Sequence, residues 1–507
     1  MCGIAGVFGT PYSNTEVKKM LAALGHRGPD ACGIHTAGEL SIGNALLKIT
    51  GDMPQPLTGK GALVLNGEIF NFRELAAEKE IKTDSDTELL FSLIEKGVKE
   101  GSTPMDSVGS ALSKVNGDYA LAYVCGGELV LARDPSGVKP LFYCSGKEEE
   151  KTEIAFASEK KALAFIGRKA KPFPQGVILG FNTENGEITE KIPEGYLKIK
   201  SPEERIYEEQ EALSQLKKAL EKAVELRLTP TAGIAFSGGI DSTYLAALAK
   251  RTDPGISLYA VGLPDSHDIA QAERAAEAIG MKKNLEVHFL SPEEIEAAVP
   301  QVIYATESAD PMKIAIGLPL YIVAKTARED GKRVLLTGQG ADELFGGYRR
   351  HEEFLEKGAE VLDRAIYSDL ASISKINLER DDMVTMASSV ELRVPFLDKE
   401  VIRIGLAISP ELKVLKKKGY YEDGFHEDSY YEDGFYERKY ILRKAAEGLI
   451  PPEILWKEKK AMQYGTGVQK VLDRLARDSG FSKKQGSHIE KYLMQIASEK
   501  GFDFVNK

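Results

Sequence analysis

The sequence has few cysteines and no long apolar segment. Its 507 residues include only four cysteines, at positions 2, 32, 125 and 144, and none has the C-x-x-C spacing typical of zinc sites. Such sparse cysteines do not form a disulfide framework, and free thiols in a reducing cytoplasm are predicted. No run of about 18 apolar residues occurs, and no basic stretch leads into an apolar N-terminal segment. A cytoplasmic chain without a membrane anchor is expected.

Basic residues are also fewer than acidic residues. The 66 Lys and Arg residues are outnumbered by 77 Asp and Glu residues, which gives a formal net charge of -11. Nucleic acids and anionic membranes bind clustered Lys and Arg, so neither is predicted as a partner. Small-molecule substrates are favoured instead. The chain is also too long for one hydrophobic core, and two or more domains are expected.

The pattern along the chain changes near residue 200. Before it, short β-rich runs separated by Gly, Asn and Asp predict packed antiparallel sheets, with helices near 15–24 and 86–98. After it, from the amphipathic run 206–227 onward, helices alternate with short apolar strands, as in a doubly wound parallel sheet, and the last stretch is mostly helical. We therefore predict one domain over 1–195 and a second over 206–507.

A ten-residue segment is duplicated in the second half. YYEDGFHEDS at 420–429 is followed by YYEDGFYERK at 430–439. Two copies are too few for a repeat architecture, and the acidic, tyrosine-rich composition predicts an exposed loop or hairpin inserted near 419–438. A partner-docking role for this insertion is an open alternative.

Cys2 is the residue that removal of Met1 would expose. Its thiol would then lie beside a free α-amine, which can act as general base without a histidine. The alternative is a buried cysteine at the start of a strand. Asn66 and Gly67 end a predicted strand, and an amide and a glycine N–H are suitable donors for an oxyanion hole. Asp86, at a predicted helix start, either binds an ammonium group or caps the helix.

Four motifs in order, MCGIAG, HRGPD, NGEIFN and SDTE, resemble the class II glutamine amidotransferases. The resemblance implies a four-layer αββα N-terminal-nucleophile hydrolase domain in which Cys2 attacks the glutamine side-chain amide. It also implies that the family arginine for the glutamine carboxylate is replaced by Leu46, with Lys48 or Arg27 as substitutes. The residues that it places against glutamine are Leu46, Leu47, Lys48, Ile49, Thr50, Asn66, Gly67, Glu68 and Asp86.

The second half has its own candidate site at FSGGIDST, residues 236–243, between an apolar strand and an amphipathic helix. Two glycines allow a phosphate to approach the backbone, and the helix N-terminus favours an anion. Asp241 suits such a site if Mg²⁺ lies between carboxylate and phosphates. Asp342, in GQGADELFGGY after another strand, is the natural second magnesium ligand, because ligands gather at the carboxyl ends of parallel strands. Val261 either packs on adenine or is an ordinary buried strand residue.

SGGIDS resembles the pyrophosphate loop of ATP-pyrophosphatases. Together with SADP, GQGADELFGGY, ELRVPFLD and WKEKKA, it makes the second half similar to the glutamine-hydrolysing asparagine synthetases. That resemblance implies ATP, Mg²⁺, glutamine and aspartate as ligands and an acyl-adenylate intermediate. It assigns Lys459 to the negative charge at phosphorus, Glu307 to proton removal from ammonia and Asp310 to the acceptor pocket. The residues implied for ATP binding are Phe236, Ser237, Gly238, Gly239, Asp241, Ser242, Val261, Thr337 and Gly338.

The acceptor is less well defined by the sequence. Ala315 and Gly317 stand where the family generally has Arg and Ser, and Lys313 is the nearest cation. A related enzyme that adenylates a different carboxylic acid is therefore an alternative, and a catalytically reduced binding protein is a third. A homodimer is a further open possibility.

Overall fold

The computed structural model describes residues 2–148, 151–182, 187–192, 202, 204–421, 429–457 and 466–505. Within it the chain forms two compact units. The first consists of Met1–Lys198, Leu378–Glu391 and Gly501–Lys507, and the second of Ile199–Asn377 and Leu392–Lys500. The first unit therefore includes two short segments from the C-terminal half of the chain.

The first unit contains two six-stranded sheets in which all the described pairings are antiparallel. In spatial order, one sheet consists of Lys171–Pro172, Phe142–Glu148, Lys151–Ala157, Gly3–Phe8, Leu40–Leu46 and Ala31–Ala37. The other consists of Ile188–Lys191, Ile178–Asn182, Glu128–Arg133, Gly117–Cys125, Ala62–Ile69 and Leu57–Thr58.

Helices cover the outer faces of these sheets. Ile42 and Phe156 from one sheet pack with Val64 and Leu131 from the other in a shared core, while separate cores join each sheet to helices. This is the predicted αββα layering. Three of the helices, Phe72–Glu78, Pro104–Lys114 and Lys160–Ala164, were not predicted. The helices of this unit are Ser13–Ala23, Phe72–Glu78, Asp86–Lys99, Pro104–Lys114, Lys160–Ala164 and Glu379–Met386.

The second unit is built on a five-stranded sheet whose described pairings are parallel, as predicted. Its spatial order is Leu285–Phe289, Ser257–Gly262, Ala232–Ala235, Val334–Leu336 and Glu391–Arg393. Strands Val414–Tyr421 and Ser429–Arg438, which contain the described parts of the 420–439 duplication apart from Lys439, pair antiparallel. The helices are Glu209–Arg227, Ile240–Thr252, His267–Ala278, Pro292–Thr306, Pro311–Glu329, Ala341–Phe345, Arg350–Glu356, Ala359–Ile373, Lys399–Ala407, Pro410–Lys413, Tyr440–Ala446, Pro452–Leu455, Val468–Asp478 and His488–Glu499.

Two further observations concern the cysteines and the apolar character of the helices. All four cysteines are free thiols, as expected. Among the described residues, no helix has both the length and the apolar character needed to cross a membrane.

Lys413 is an unusual buried residue of the second unit. It is fully buried at the end of helix Pro410–Lys413, and in the described part of the chain its Nζ has no hydrogen-bond partner. Burial lowers the pKa of Lys413 to about 7, with Asp363 opposing this effect and Arg205 adding to it. Because this pKa lies below that of the unfolded chain, the cost of burying the ammonium is complete below pH 7 and decreases as pH rises above it.

We expect Lys413→Met to stabilise the protein at neutral or lower pH. The free energy of unfolding should rise by about 1–4 kcal/mol at a pH of about 6.5, and the gain should shrink towards a pH of about 9.5. Chemical denaturation at the two pH values measures both effects. Lys218→Met, at an exposed position on helix Glu209–Arg227, is the matched control. A variant less stable than the parent at the lower pH would contradict the expectation.

Candidate functional site

Cys2 lies directly before strand Gly3–Phe8 and is only 4% exposed. Its N–H donates to Asn66 Oδ1 at 3.1 Å. The other end of that amide, Asn66 Nδ2, is buried and has no hydrogen-bond partner among the described residues. Because an unpaired buried donor is costly, its presence beside a thiol indicates a place for an acceptor that is not part of the chain.

Asn66 and Gly67 do not end their strand, contrary to the sequence prediction. They lie inside Ala62–Ile69, which pairs with Gly117–Cys125 along its whole length. The Asn-Gly pair looks like a turn, but here the glycine serves close packing: a Cβ on Gly67 would lie 2.4 Å from the Asp118 carbonyl oxygen.

The thiol of Cys2 favours its neutral form. Burial raises its pKa above the ordinary value, although the backbone of Leu47 and the side chain of Asn44 oppose this effect. Asn44 is itself fixed by bonds from its Nδ2 to Gln55 Oε1 at 3.2 Å and to the Leu65 carbonyl at 3.3 Å. A neutral thiol needs a base before it can attack a substrate.

A cavity opens at Cys2, and one part of it is acidic. Asp86 is buried there, with Ile69 N–H donating to Oδ2 at 3.0 Å and Thr87 N–H to Oδ1 at 2.6 Å. Asp86 is not the helix cap, since Ser85 accepts from the Glu88 N–H at 3.3 Å in that role. The predicted glutamine-binding residues that line the cavity are Leu46, Leu47, Lys48, Ile49, Thr50, Gly67, Glu68 and Asp86.

Two cations were considered as substitutes for the missing carboxylate-binding arginine. Lys48 lines the cavity, and its ammonium pairs with Asp52, which is itself 78% exposed. Arg27 does not line it. Its guanidinium is completely buried and donates to Glu159 Oε1 at 2.8 Å and to Asp382 Oδ2 at 2.8 Å. Arg27 therefore does not take the place of the family arginine.

Arg27 instead holds the backbone of Cys2, the predicted nucleophile. Its Nε donates to the Cys2 carbonyl at 3.1 Å, while its partner Asp382 comes from the segment Leu378–Glu391. The same segment donates a hydrogen bond from Ser389 Oγ to the His26 carbonyl at 2.6 Å. Neither Asp382 nor Glu159 was singled out from the sequence, because nothing local shows which distant residues contact Arg27.

The second site begins at the strand Ala232–Ala235. Gly238 follows it with φ 69°, a left-handed conformation that favours glycine, and a Cβ there would lie 2.6 Å from the Gln271 carbonyl oxygen. Helix Ile240–Thr252 starts immediately afterwards, so Asp241 lies in its first turn. On the adjacent strand, Val261 is buried.

The loop after strand Val334–Leu336 approaches this helix start closely. A Cβ on Gly338 would lie 2.7 Å from Asp241 Cβ. Thr337 Oγ1 is buried without a hydrogen-bond partner among the described residues. The predicted nucleotide residues on the two loops are Phe236, Ser237, Gly238, Gly239, Asp241, Ser242, Thr337 and Gly338.

Lys439 joins the two predicted metal ligands. Its Nζ lies 2.8 and 2.7 Å from the two carboxylate oxygens of Asp241 and 2.7 Å from Asp342 Oδ1. Sequence analysis missed this lysine, because it is the last residue of the tyrosine-rich duplication and has no motif of its own.

The convergence of Asp241 and Asp342 on one cation fits a magnesium site. Mg²⁺ commonly takes one or two carboxylates together with substrate phosphates. Groups of three or more His, Cys, Asp or Glu residues suited to a metal are not found in the described part of the chain. Two protein carboxylates are expected for a metal ion whose other ligands come from a bound nucleotide.

The other predicted residues of this half are placed as follows. Glu307 is 3% exposed and follows helix Pro292–Thr306 with φ 53°, so it is not a surface acid. Asp310 caps helix Pro311–Glu329 and accepts from the Met312 and Lys313 N–H groups, each at 2.9 Å. Lys459 lies outside the described residues. Ala315 and Gly317 are buried, and Lys313 is half-buried.

Comparison with known proteins matches both halves. A model described as "Glutamine amidotransferase domain" matches residues 1–178, and one described as "Asparagine synthase" matches 215–361 and 353–497. A putative glutamine-hydrolysing asparagine synthetase of Methanocaldococcus jannaschii is 36% identical over 98% of this chain and 100% of the relative. Asparagine synthetase B of Escherichia coli is 29% identical over 92% and 83%. A solved glutamine phosphoribosylpyrophosphate amidotransferase of Bacillus subtilis has a TM-score of 0.35 at 19% identity, covering 72% of this chain and 92% of that one.

Proposed function

The chain belongs to the family of glutamine-hydrolysing asparagine synthetases, and from that premise we propose which of its residues carry each half of the reaction. The enzyme takes ammonia from glutamine and transfers it to β-aspartyl-AMP, giving asparagine, glutamate, AMP and pyrophosphate. The observation that carries the residue assignment is the unpartnered Asn66 Nδ2 next to Cys2.

The glutaminase reaction is assigned to Cys2. After removal of Met1, the α-amine takes the thiol proton and the sulfur attacks the side-chain carbonyl carbon of glutamine. Asn66 Nδ2 and the Gly67 N–H donate to the oxyanion that forms. Ammonia leaves with the proton from the amine, and water then hydrolyses the thioester to glutamate. Mass spectrometry of the mature N-terminus tests the removal of Met1.

Glutamine recognition is assigned to the charged residues that line the cavity. Glu68 and Asp86 bind the α-ammonium. Residues 46–50 also line the cavity, and we assign the α-carboxylate to Lys48. Since Lys48 presents a point charge instead of a bidentate fork, this contact is less directional than an arginine would make.

The synthetase reaction is assigned to the two loops around Asp241 and Asp342. The phosphates of ATP bind at the N–H groups of 237–242, where helix Ile240–Thr252 begins. Asp241 and Asp342 would hold Mg²⁺, which, when bound, neutralises charge on the phosphates. The aspartate carboxylate attacks the α-phosphorus, and pyrophosphate leaves.

Three further assignments complete the proposal. Lys459 opposes the negative charge at the α-phosphorus. Glu307 takes the proton from ammonia as nitrogen attacks the acyl-adenylate, and Asp310 contributes to the acceptor pocket. The buried left-handed position of Glu307 supports a functional role, because strained residues are retained where the site needs them.

The function is tested by incubating purified protein with ATP, MgCl₂, glutamine and aspartate. We expect asparagine, AMP and pyrophosphate in equal amounts. Pyrophosphate release only with another carboxylic acid would favour the alternative acceptor, and formation of ADP would contradict the reaction class. Absence of any turnover would favour a binding protein.

Asp86 should give the glutaminase reaction a pH dependence. Burial, followed by the charge of Glu68, raises the pKa of Asp86 to about 8. The carboxyl group is therefore protonated at lower pH and cannot pair with the glutamine α-ammonium. We expect the KM for glutamine to fall by up to about tenfold per pH unit as pH approaches 8 from below. Steady-state glutaminase kinetics across this range measure it.

The matched control is Asp86→Asn. This variant should have a high KM for glutamine that does not change with pH, while ammonia-dependent synthesis keeps its normal rate. A wild-type KM that is constant below pH 8 would show that Asp86 is already ionised or does not contact the substrate.

A further inference from the structure

Lys439 is held in place by an unusual backbone. Its φ of 56° is left-handed, which is rare for a residue other than glycine, and it stands at the start of helix Tyr440–Ala446. The chain beside it is fixed by Arg438, whose Nη1 donates to the Gly347 carbonyl at 3.2 Å. A Cβ on Gly347 would lie 2.3 Å from Lys439 Cε, so the lysine stem lies against bare backbone.

The ammonium of Lys439 is also almost completely removed from solvent. Its side chain is 3% exposed, and its three close oxygen partners belong to Asp241 and Asp342. Two carboxylates this close to each other would repel strongly without a cation between them. The lysine therefore keeps the pair together in the protein without nucleotide.

The Lys439 ammonium and a metal ion cannot both occupy the position between Asp241 and Asp342. A magnesium ion lies about 2.0–2.1 Å from its oxygen ligands. A metal shared by Asp241 and Asp342 would take the oxygens that now contact Nζ, and the ammonium would have to leave. Lysine suits such an exchange, because its charge is on a flexible four-carbon stem.

We propose that Lys439 is a tethered countercation that keeps the two carboxylates in their metal-binding arrangement and is displaced by the divalent ion that arrives with ATP. Lys439 is thus a positioning residue that acts through Asp241 and Asp342. This inference rests on the proposed nucleotide site.

The test measures Mn²⁺ binding to the full-length protein by electron paramagnetic resonance, first with MnCl₂ alone. If Lys439 competes with the metal, Lys439→Gln should bind Mn²⁺ at least about tenfold more tightly than wild type. Lys444→Gln is the matched control, because Lys444 lies on the same helix and pairs with the partly exposed Glu447. It should bind Mn²⁺ as wild type does. Equal affinities of Lys439→Gln and wild type would overturn the inference.

A second variant decides the question if Lys439→Gln does not fold. Lys439→Arg keeps the positive charge, but its guanidinium holds carboxylates more firmly than an ammonium does. In the presence of α,β-methylene-ATP, we expect its Mn²⁺ affinity to be lower than that of wild type by about threefold or more. An unchanged affinity would also overturn the inference. Asparagine formation by wild type is measured separately, so a failure here leaves the proposed function standing.

Discussion

Replacing Cys2 by alanine should abolish asparagine synthesis from glutamine while leaving synthesis from ammonium salts intact. In the proposed mechanism the sulfur is the nucleophile of the glutaminase reaction only, and the buried amide of Asn66 cannot replace it. Loss of a nucleophile commonly lowers kcat by about 10⁴-fold or more. The ammonia-dependent rate should stay within about twofold, because no step of adenylation involves the thiol.

The measurement compares asparagine formation with glutamine and with ammonium chloride in one preparation. Cys32→Ala is the matched control, since Cys32 is an exposed free thiol on strand Ala31–Ala37 of the same unit. It should leave both activities unchanged. If Cys2→Ala lost both activities, the separation of the two reactions between the two halves of the chain would be wrong.

Asp241→Asn should have the opposite effect. We expect adenylation to fall by about 10²–10³-fold, because a neutral amide is a poor ligand for a metal that must offset the charge on phosphorus. Glutamine hydrolysis should continue, since Cys2 belongs to the first compact unit and Asp241 to the second. Pyrophosphate–ATP exchange measures the first reaction, and glutamate release measures the second.

Asp253→Asn serves as the control for this variant. Asp253 lies at the other end of the same helix, where its Oδ1 accepts the Gly255 N–H at 3.0 Å, and asparagine can keep that bond. Adenylation should be unchanged. Equal damage to both reactions by Asp241→Asn would point to a general loss of folding, and full adenylation activity would exclude Asp241 as a metal ligand.

Much of the fold could be predicted because its signals are local. Short β-rich runs separated by Gly, Asn and Asp indicated the antiparallel sheets, and the change to helix–strand alternation indicated the parallel one. The fold also brings predicted site residues together, since 46–50, Gly67, Glu68 and Asp86 line one cavity. Strand ends were harder to predict, since Asn66 and Gly67 look like a turn but lie within a strand.

Contacts between segments that are distant along the chain could not be predicted from the sequence. Lys439 is 198 positions from Asp241 and Asp382 is 355 from Arg27, and each ion pair exists only after the chain has folded. Arg27 illustrates the consequence. From the sequence it was a free cation available to a substrate, and only its two buried acidic partners show that it is already used.

The segment Leu378–Glu391 also limits how the gene can be divided. A recombinant fragment ending at residue 198 would lack Asp382, which is one of the two acids that neutralise Arg27. It would also lack Met383 and Met386, which pack on the apolar clusters beside the nucleophile strand. Glu159 would remain, but removing one partner from a buried ion-paired guanidinium costs several kcal/mol. Modular exchange of an intact ammonia-producing half between relatives would therefore require three pieces of coding sequence, 1–198, 378–391 and 501–507, to be transplanted together.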